Sequence, residues 1–552
     1  MADSISRQET RKSGASKPDS SPGLNRCLSG NHLDDTSYYT GRPSASKGKT
    51  NQDMERDSTT DPEDTDTDDT SSISPEVVDG IEVERDVELG REKTQKSTKS
   101  VRDPNLVTWE GPHDPENPKN WKIGRKWAAV LVVSSFTFIS PVSSSMVAPA
   151  LTSISSDLHI ENSIEQSLVL SIFVLAYAVG PLFLGPLSEM FGRVIIVQVS
   201  NLVYLFFNLG CGLAQTKGQL IAFRFLAGLG GSAPLALGGG VLSDLFTAEE
   251  RGKAISIYSL APLLGPAVGP IAGGFIAENT TWRWVFYATT IADAVIQIIG
   301  LFYLQETFPP VLLGRKKNKL IKETGNQDLH TEWDVPDRTI FKALSVSLTR
   351  PFKLLGTQVI IQVLAVYMAY LYGIMYLVLS TFPGLWEGVY NESIGMGGLN
   401  YISLGVGFFL ARNNGVGKPE FRVPLMIPGA LLVPVGLFWY GWSAQAKTHW
   451  IVPNIGAAIF AAGTIIGFQC IQTYIVDSYT KYAASAIGAA TVLRSLAGFG
   501  FPLFAPYLYA ALDYGWGNSL IGFIAIGLGW PAPILLWIYG ERLRTRSTFA
   551  AG

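Results

Sequence analysis

Long apolar runs separated by short polar stretches make up most of the chain after about residue 120. A helix needs roughly 20 apolar residues to cross the hydrocarbon core, where its backbone polar groups must be satisfied internally. Six such runs are followed by a hydrophilic stretch and then by six more. The predicted spans are 127–149, 166–187, 194–214, 220–242, 254–276, 284–304, 358–382, 394–410, 423–442, 450–475, 484–510 and 520–538. We therefore predict an all-α membrane protein with about twelve transmembrane helices in two sets of six.

The N-terminal part of the chain has a different composition. Residues 1–100 contain 19 apolar and 35 charged residues, of which 21 are Asp or Glu. Such a segment cannot bury enough apolar surface to offset its ordering entropy, so we expect a disordered cytoplasmic tail. The predicted organisation is a tail (1–118), a six-helix half (119–304), a central cytoplasmic loop (305–357), a second six-helix half (358–538) and a cytoplasmic C-terminus (539–552).

The basic residues predict the orientation in the membrane. Of the 29 Lys and Arg in residues 101–552, 24 fall on the side of the tail and central loop, three on the opposite side and two within spans. By the positive-inside rule, both termini are cytoplasmic. We expect a multi-pass protein of the plasma membrane rather than the vacuolar membrane. Asn279 and Asn391 begin glycosylation sequons in predicted outside loops.

A short motif recurs in corresponding spans of the two sets. The pattern Ser-Leu-Ala-x4-Pro-x3-Pro occupies residues 259–270 of span five and 495–506 of span eleven, 236 residues apart. Parallel six-helix repeats place a substrate site where the halves meet, near the membrane midplane. The repeat therefore predicts two pseudo-equivalent halves with a site between them.

Span five has glycine at every fourth position, at Gly265, Gly269 and Gly273, with Pro266 and Pro270 beside them. This spacing places the glycines on one helix face, where another helix can approach closely. The prolines remove backbone donors and bend the helix. We interpret the smooth face as a seal between two rocking halves; ordinary helix packing is the alternative.

These features resemble the fungal twelve-helix drug:proton antiporters of the major facilitator superfamily. The run from Gly265 to Gly274 is similar to that family's antiporter motif in helix five. The resemblance implies the major facilitator fold, export in exchange for protons, and a position at the seal for these glycines and prolines. Further stretches that carry the likeness are Asn117–Trp121, Arg224–Gly231, Glu249–Ala254, Leu304–Thr307 and Pro419–Arg422.

The connection between spans two and three, from Gly185 to Arg193, resembles the superfamily's cytoplasmic gating motif. Gly185 and Gly192 permit a tight turn, and Glu189 and Arg193 can pair with each other or with facing helix ends. Glu189 replaces the commoner Asp, and the position after Arg193 lacks the usual second basic residue. In the second half, span eight is short and Arg412 follows it at once, so the charged loop that would mirror this motif is absent.

Three ionisable residues lie inside predicted spans, where charges are costly and usually face partners or a water-filled path. They are Arg224 in span four, Asp293 in span six and Arg494 in span eleven. We propose Asp293 as a proton-carrying carboxyl. By resemblance, Arg224 matches the helix-four arginine that the family associates with proton coupling. A fixed ion pair or a snorkelling arginine is the alternative.

Aromatic and amide residues within the spans are candidates for lining a substrate cavity, because they suit flat, partly apolar ligands. For each of them, lipid contact or helix packing is the alternative. The candidates are Tyr177, Tyr287, Tyr370, Tyr372, Gln469 and Gln472.

Residues for a conventional active site are not grouped in this sequence. Cys27, Cys211 and Cys470 are scattered, as are the five histidines, which gives neither a disulfide framework nor metal-ligand spacing. Nucleophile-elbow and phosphate-binding glycine motifs are absent from the sequence. We expect no enzyme activity, cofactor, metal or nucleic-acid partner, and a monomer that interacts with the bilayer, protons and a small molecule.

The sequence is therefore interpreted as a secondary active transporter. We expect it to export small hydrophobic or amphipathic organic compounds (drugs, fungicides, secondary metabolites or toxins) by proton antiport with alternating access. One alternative is a proton-coupled importer of a sugar, nutrient or polyamine with the same fold. A non-transporting sensor is the other.

Overall fold

The computed structural model describes residues 103–334, 340–410, 423–479, 482–545 and 547. Ten helical stretches among them are long and apolar enough to cross a membrane. Most of the predicted tail, with Cys27, lies outside the described residues, as do Arg412 and the Pro419–Arg422 motif.

Helices of the first half begin and end within a few residues of the predicted spans. We label each helix by its span. They are α1 Ile123–Ser145, α2 Ser163–Phe191, α3 Arg193–Leu213, α4 Lys217–Leu245, α5 Ala248–Asn279 and α6 Arg283–Tyr303. A 3₁₀ turn, Ala148–Ala150, and a short helix, Leu151–Asp157, follow α1.

The second half begins with a long helix and a broken one. Its helices are α7 Val359–Gly388, α8 in two pieces (Ile394–Leu399 and Ile402–Leu410), α9 Val423–Gln445, α10 Ile451–Ser478, α11 Ala483–Gly529 and α12 Pro531–Thr545. Because each described piece of α8 is short, α8 is not among the ten candidate spans. The predicted loop that follows α8 lies outside the described residues.

The predicted loop between spans eleven and twelve, residues 511–519, is not found. One non-helical residue, Asp513 (φ 52°, ψ −176°), interrupts α11. Span eleven therefore ends at Asp513, and span twelve consists of the rest of α11 together with α12. The turn is tied to its surroundings, since Gly515 N donates to Gln445 Oε1 at 2.7 Å and Tyr509 Oη donates to Asn518 Oδ1 at 3.0 Å. These bonds allow a reversal shorter than the sequence pattern predicts.

The central loop contains two helices, Pro309–Thr324 and Ile340–Thr357. Pro309 suits the first helical position because its missing N–H would have no partner there. Gly325, with φ +72°, ends the same helix in the left-handed conformation. The second helix packs against α2 and α11, so the loop contacts both halves.

Residues 103–118, predicted as the end of the disordered tail, are ordered against the central loop. Val107 N donates to His330 O at 2.8 Å, and Lys316 Nζ lies 3.0 Å from Glu110 and 3.2 Å from Glu116. We call this arrangement of residues 103–121 with 309–334 the tail–loop clamp. Backbone pairing and ion pairs compensate for the low apolar content that suggested disorder.

Within each half, the first helix packs against the fifth: α1 contacts α5, and α7 contacts α11. Between the halves, α2 contacts α11 and α5 contacts α8. The outer faces of the helices carry exposed apolar side chains, such as Phe206 (68% exposed) and Phe302 (74%). Such an apolar surface suits contact with lipid, so a binding site for a polar or charged group is expected between the halves instead.

Candidate functional site

A cavity with an empty volume of about 1010 Å³, including its opening to solvent, lies between the two halves. Side chains of α1, α2, α4 and α5 form one wall, and side chains of α7, α10 and α11 form the other. The lining residues are Pro141, Tyr177, Leu235, Tyr258, Ser259, Pro262, Pro266, Tyr372, Met375, Tyr376, Thr464, Ile465, Phe468, Gln469, Gln472 and Arg494.

The cavity lies at mid-depth and toward the side of the central loop. Tyr258 and Arg494 are 10 and 11 residues from the loop-side starts of their helices, which corresponds to roughly 15 Å of helix. Gln472 lies six residues before the loop-side end of α10. These residues therefore lie nearer the loop-side ends of their helices than the opposite ends.

The opposite side is closed by contacts between the halves. The backbones of Gly274 in α5 and Ile394 in α8 are so close that a Cβ on Gly274 would lie 2.8 Å from the Ile394 carbonyl oxygen. Gly395 N donates to Glu278 Oε2 at 2.8 Å. Deeper in the protein, Ser144 Oγ and Tyr376 Oη are hydrogen-bonded at 3.0 Å.

Four of the predicted liners are in the cavity wall: Tyr177, Tyr372, Gln469 and Gln472. The other two predictions are wrong. Tyr287 donates to Gly212 O at 2.9 Å in the contact of α6 with α3. Tyr370 donates to Ile521 O, in the part of α11 that follows Asp513. Tyr370 and Tyr372 are two positions apart on α7, so about 200° of helical rotation points them in different directions.

Three aromatic rings, of Tyr372, Tyr376 and Phe468, lie together in one wall. Tyr372 stacks on Phe468 with 6.1 Å between ring centres and 28° between planes, and it lies 4.9 Å from Tyr376. On the other wall, Tyr177 Oη is 2.6 Å from Ser140 Oγ, which fixes the ring. The cavity thus combines flat aromatic surfaces with the polar side chains of Gln469 and Gln472.

Arg494 adds a positive charge to this wall. Its guanidinium carbon lies 5.1 Å from the centre of the Tyr372 ring and 5.2 Å from that of Phe468, within the range of cation–π attraction. This residue was one of three intramembrane charges singled out from the sequence. The structure places it in the cavity wall.

Arg224 is fully buried between α1, α2 and α4, away from the cavity lining. Its guanidinium donates to Ser143 O at 2.9 Å, Ser144 O at 3.2 Å and Val169 O at 3.1 Å. These acceptors are backbone carbonyls of α1 and α2. Arg224 therefore joins three helices of the first half, beside the Ser144 hydroxyl that bonds to Tyr376 across the interface.

Asp293 is also fully buried, in the contact of α6 with α3. Asn201 Nδ2 lies 3.1 and 2.9 Å from its two carboxyl oxygens and 2.9 Å from Gln297 Oε1. Its hydrogen-bond partner is thus an amide rather than an arginine. The site does not bring Asp293, Arg224 and Arg494 together.

The glycine stripe of α5 faces α1, within the same half. A Cβ on Gly269 would lie 2.8 Å from Val142 O, and a Cβ on Gly265 would lie 2.5 Å from the Pro141 side chain. The stripe was expected to seal one half against the other, and that expectation is wrong. The adjacent face of α5 forms the seal, where Gly398 approaches the Pro270 carbonyl.

The gating motif makes its tight turn at Gly192 alone, and Arg193 lies against a facing helix end as one of the sequence-based alternatives held. Gly185 lies inside α2, and the connection from α2 to α3 is the single residue Gly192, with φ +109°. Arg193 Nη1 donates to Ser188 Oγ at 2.7 Å, and its Nε lies 3.7 Å from Asp244 at the end of α4. Glu189 is exposed on the last turn of α2.

Glu306 completes this cluster, a role that the sequence analysis missed. Its carboxylate accepts from the backbone N–H groups of Arg193 at 3.0 Å and Val194 at 3.3 Å, the first residues of α3. It also accepts from the N–H groups of Thr307 and Phe308, both at 3.0 Å. A carboxylate at a helix N-terminus satisfies free donors and the helix dipole. The Leu304–Thr307 stretch was noted only as a likeness.

The chain belongs to the Major Facilitator Superfamily, whose family model matches residues 133–502. It is therefore a multi-pass membrane transporter, not an enzyme. It is 57% identical over 468 residues to "Efflux pump vrtL" of Penicillium aethiopicum, covering 82% of this chain and 92% of that protein. It is 44% identical to "Efflux pump radE" of Floropilus chiversii, covering 81% and 86%.

Among solved structures, the fold is similar to the xylose transporter XylE from E. coli in a partially occluded inward-open conformation. The TM-score is 0.57 at 15% identity, over 75% of this chain and 98% of that one. This likeness concerns the fold alone. The predicted fold class, an all-α membrane protein with two six-helix pseudo-repeats, is confirmed.

Proposed function

We propose that this transporter exports small hydrophobic or amphipathic organic compounds from the cytoplasm across the plasma membrane, in exchange for protons. The observation that carries the proposal is the aromatic-walled cavity between the halves. It lies toward the central loop, while α5 and α8 close the opposite side. A compound dissolved in the cytoplasm or inner leaflet would have access to such a cavity. The two fungal relatives named as efflux pumps support the direction of transport.

Proton coupling is proposed to use Asp293. Its contacts with Asn201 are neutral, so gain or loss of a proton would leave no partner cation unpaired inside the protein. Arg224 is proposed as a separate coupling residue at the interface, because it binds the carbonyl of Ser144, whose hydroxyl bonds to Tyr376 of the other half. Protonation would then bias the equilibrium between the two cavity openings.

Transport into everted plasma-membrane vesicles tests the proposal. With an acidic lumen, we expect a panel of fluorescent amphipathic compounds to accumulate and a protonophore to abolish the accumulation. An importer would instead concentrate its substrate in right-side-out vesicles placed in acidic medium, and that result would overturn export. Vesicles that move none of the compounds in either orientation would support the sensor.

The orientation, with both termini in the cytoplasm, is tested by glycosylation. Asn391 is exposed in the turn between α7 and α8, whereas the amide of Asn279 donates to Phe275 O at the end of α5. We expect a mobility shift on endoglycosidase treatment that Asn391→Gln removes and Asn279→Gln leaves in place. Glycosylation of a sequon introduced into the central loop would show that the true topology is the opposite of the proposed one.

A further inference from the structure

Arg494 has an unused donor inside the cavity wall. Its Nε is buried and has no hydrogen-bond partner in the described part of the protein. The described lining of the cavity contains no Asp or Glu, so the guanidinium is the charged group of that lining. Buried charges are normally paired, because an unpaired one loses its hydration without compensation. The partly buried Arg494 guanidinium is therefore the group of this lining with which an anion would pair.

The surroundings of Arg494 indicate the shape of that anion. The Arg494 guanidinium lies to one side of the stacked Tyr372 and Phe468 rings, about equally far from both, and Tyr376 extends the aromatic surface. A guanidinium presents its donors as a planar fork that matches a carboxylate or a phenolate oxygen. Flat ring surfaces beside it favour a planar ligand.

We propose that the cavity selects organic anions, namely planar aromatic or conjugated compounds bearing a carboxylate or an ionised phenol, which pair with Arg494. This proposal rests on the export function above and names its substrate class. Gln469 and Gln472, one helical turn apart on the same wall, contribute neutral polar contacts. A polyamine is disfavoured, because its positive charges would meet Arg494 in a poorly hydrated space.

A matched pair of probes tests the proposal on the purified full-length protein in lipid nanodiscs. 9-Anthracenecarboxylate and 9-anthracenecarboxamide share the same rings and differ in charge at neutral pH. We expect the acid to bind about tenfold more tightly than the amide, as for a desolvated, charge-assisted hydrogen bond. Equal affinities for the two probes would overturn the proposal.

Variants assign the preference to Arg494. Arg494→Gln should remove the preference while amide binding stays within about threefold, and Arg494→Lys should keep part of it because charge remains without the fork. Arg542→Gln, on the exposed last turn of α12, should keep the wild-type preference. Persistence of the preference in Arg494→Gln, or loss of binding of both probes, would assign Arg494 another role and overturn the proposal.

The vesicle assay separates this proposal from the export function on which it rests. Export of the carboxamide as fast as the carboxylate would reject anion selection and leave export standing. If neither probe nor any compound of the panel moved under an imposed pH gradient, the export function itself would fall. If the carboxylate is exported faster than the carboxamide and Arg494→Gln removes this difference, both the export function and anion selection are supported.

Discussion

Tyr258 and Arg494 occupy equivalent positions in the two halves and line the same cavity. Each immediately precedes the repeated Ser-Leu-Ala motif, 236 residues apart. Their chemistry differs: Tyr258 Oη donates to Pro234 O at 2.9 Å, whereas Arg494 Nε has no partner in the described part of the chain. The repeat thus supplies two matching helix faces, and in the described lining of the cavity only the second half presents a charge.

Loss of the Ser144–Tyr376 hydrogen bond should open the side of the cavity opposite the central loop. In Tyr376→Phe, a cysteine introduced at Gln469 should react with external, membrane-impermeant maleimide about threefold to tenfold faster, since one hydrogen bond contributes about 0.5–1.5 kcal/mol. Tyr539→Phe, on the exposed face of α12, is the control and should change nothing. An unchanged rate in Tyr376→Phe would show that this bond does not hold the closed side.

Gly269→Ala should destabilise the contact of α5 with α1. The new Cβ would lie 2.8 Å from the Val142 carbonyl oxygen, so the helices must separate, at a cost of about 1–3 kcal/mol. We expect a lower thermal transition in detergent and slower export. Gly239→Ala in α4 is the matched control, because its Cβ would have no atom within 4 Å. Equal transitions for the two variants would contradict the tight packing described for the stripe.

Asp293→Asn should uncouple transport from the proton gradient. An amide keeps the size of the side chain and one of the two oxygens that accept from Asn201, but it cannot exchange a proton. Probe binding should therefore stay within about threefold while gradient-driven accumulation is lost. Asp328→Asn, an exposed residue of the central loop, should accumulate compounds normally. Full gradient-driven accumulation by Asp293→Asn would exclude this carboxyl as the proton site.

Glu306→Gln should weaken the connection between α2 and α3. The carboxylate accepts from four backbone N–H groups, and hydrogen bonds to a charged group are worth about 1.5–3 kcal/mol each, more than those to a neutral amide. We expect faster hydrogen exchange of the first turn of α3. Glu332→Gln, at an exposed position, is the control. Identical hydrogen exchange of the first turn of α3 in the two variants would show that Glu306 does not stabilise this connection.

The tail–loop clamp should open in acid. Burial alone would raise the pKa of Asp114, but the backbone N–H groups of Glu110 and Glu116 and the charge of Lys316 hold it below its ordinary value. A depressed carboxyl pKa contributes stability above its unfolded value of about 4, and this stability is lost as the pH falls through the folded pKa. The acidic side chains around Lys316 raise its pKa, although burial alone would lower it. The contribution of Lys316 to the stability of the clamp is therefore lost only at strongly alkaline pH.

Hydrogen exchange of residues 106–117, corrected for the intrinsic pH dependence, measures this opening. We expect protection to be constant from about pH 5 to pH 8 and to fall below about pH 4. Lys316→Met should reduce protection already at pH 6, because the three acidic side chains around it lose their partner. Protection that persists at pH 2.5 would contradict the assignment.

The helices were predictable because the bilayer imposes long apolar runs whatever the details of packing. The reversal at Asp513 was not, since the hydrogen bond from Gly515 to Gln445 joins residues far apart in sequence. The order of residues 103–118 was missed for the same reason. Its ion pairs come from Lys316 in the central loop.

At the site, residue type was predictable and helix rotation was not. Tyr370 and Tyr372 look equivalent in sequence, but packing turns only Tyr372 toward the cavity. The glycine spacing of α5 correctly indicated a close helix contact but could not name α1 as the partner. Glu306 follows a span as an ordinary polar residue, and two of its four donors, the N–H groups of Arg193 and Val194, are placed by the chain reversal at Gly192.

The one-residue reversal at Asp513 constrains how the cavity can change its opening. Because span twelve starts directly after Asp513 and is held to α9 through Gln445, no loop separates spans eleven and twelve at their ends opposite the central loop. A tilt of span eleven, which contains Arg494, must therefore also move span twelve. Bilayer thickness and lateral pressure would then act directly on the rate of the transport cycle.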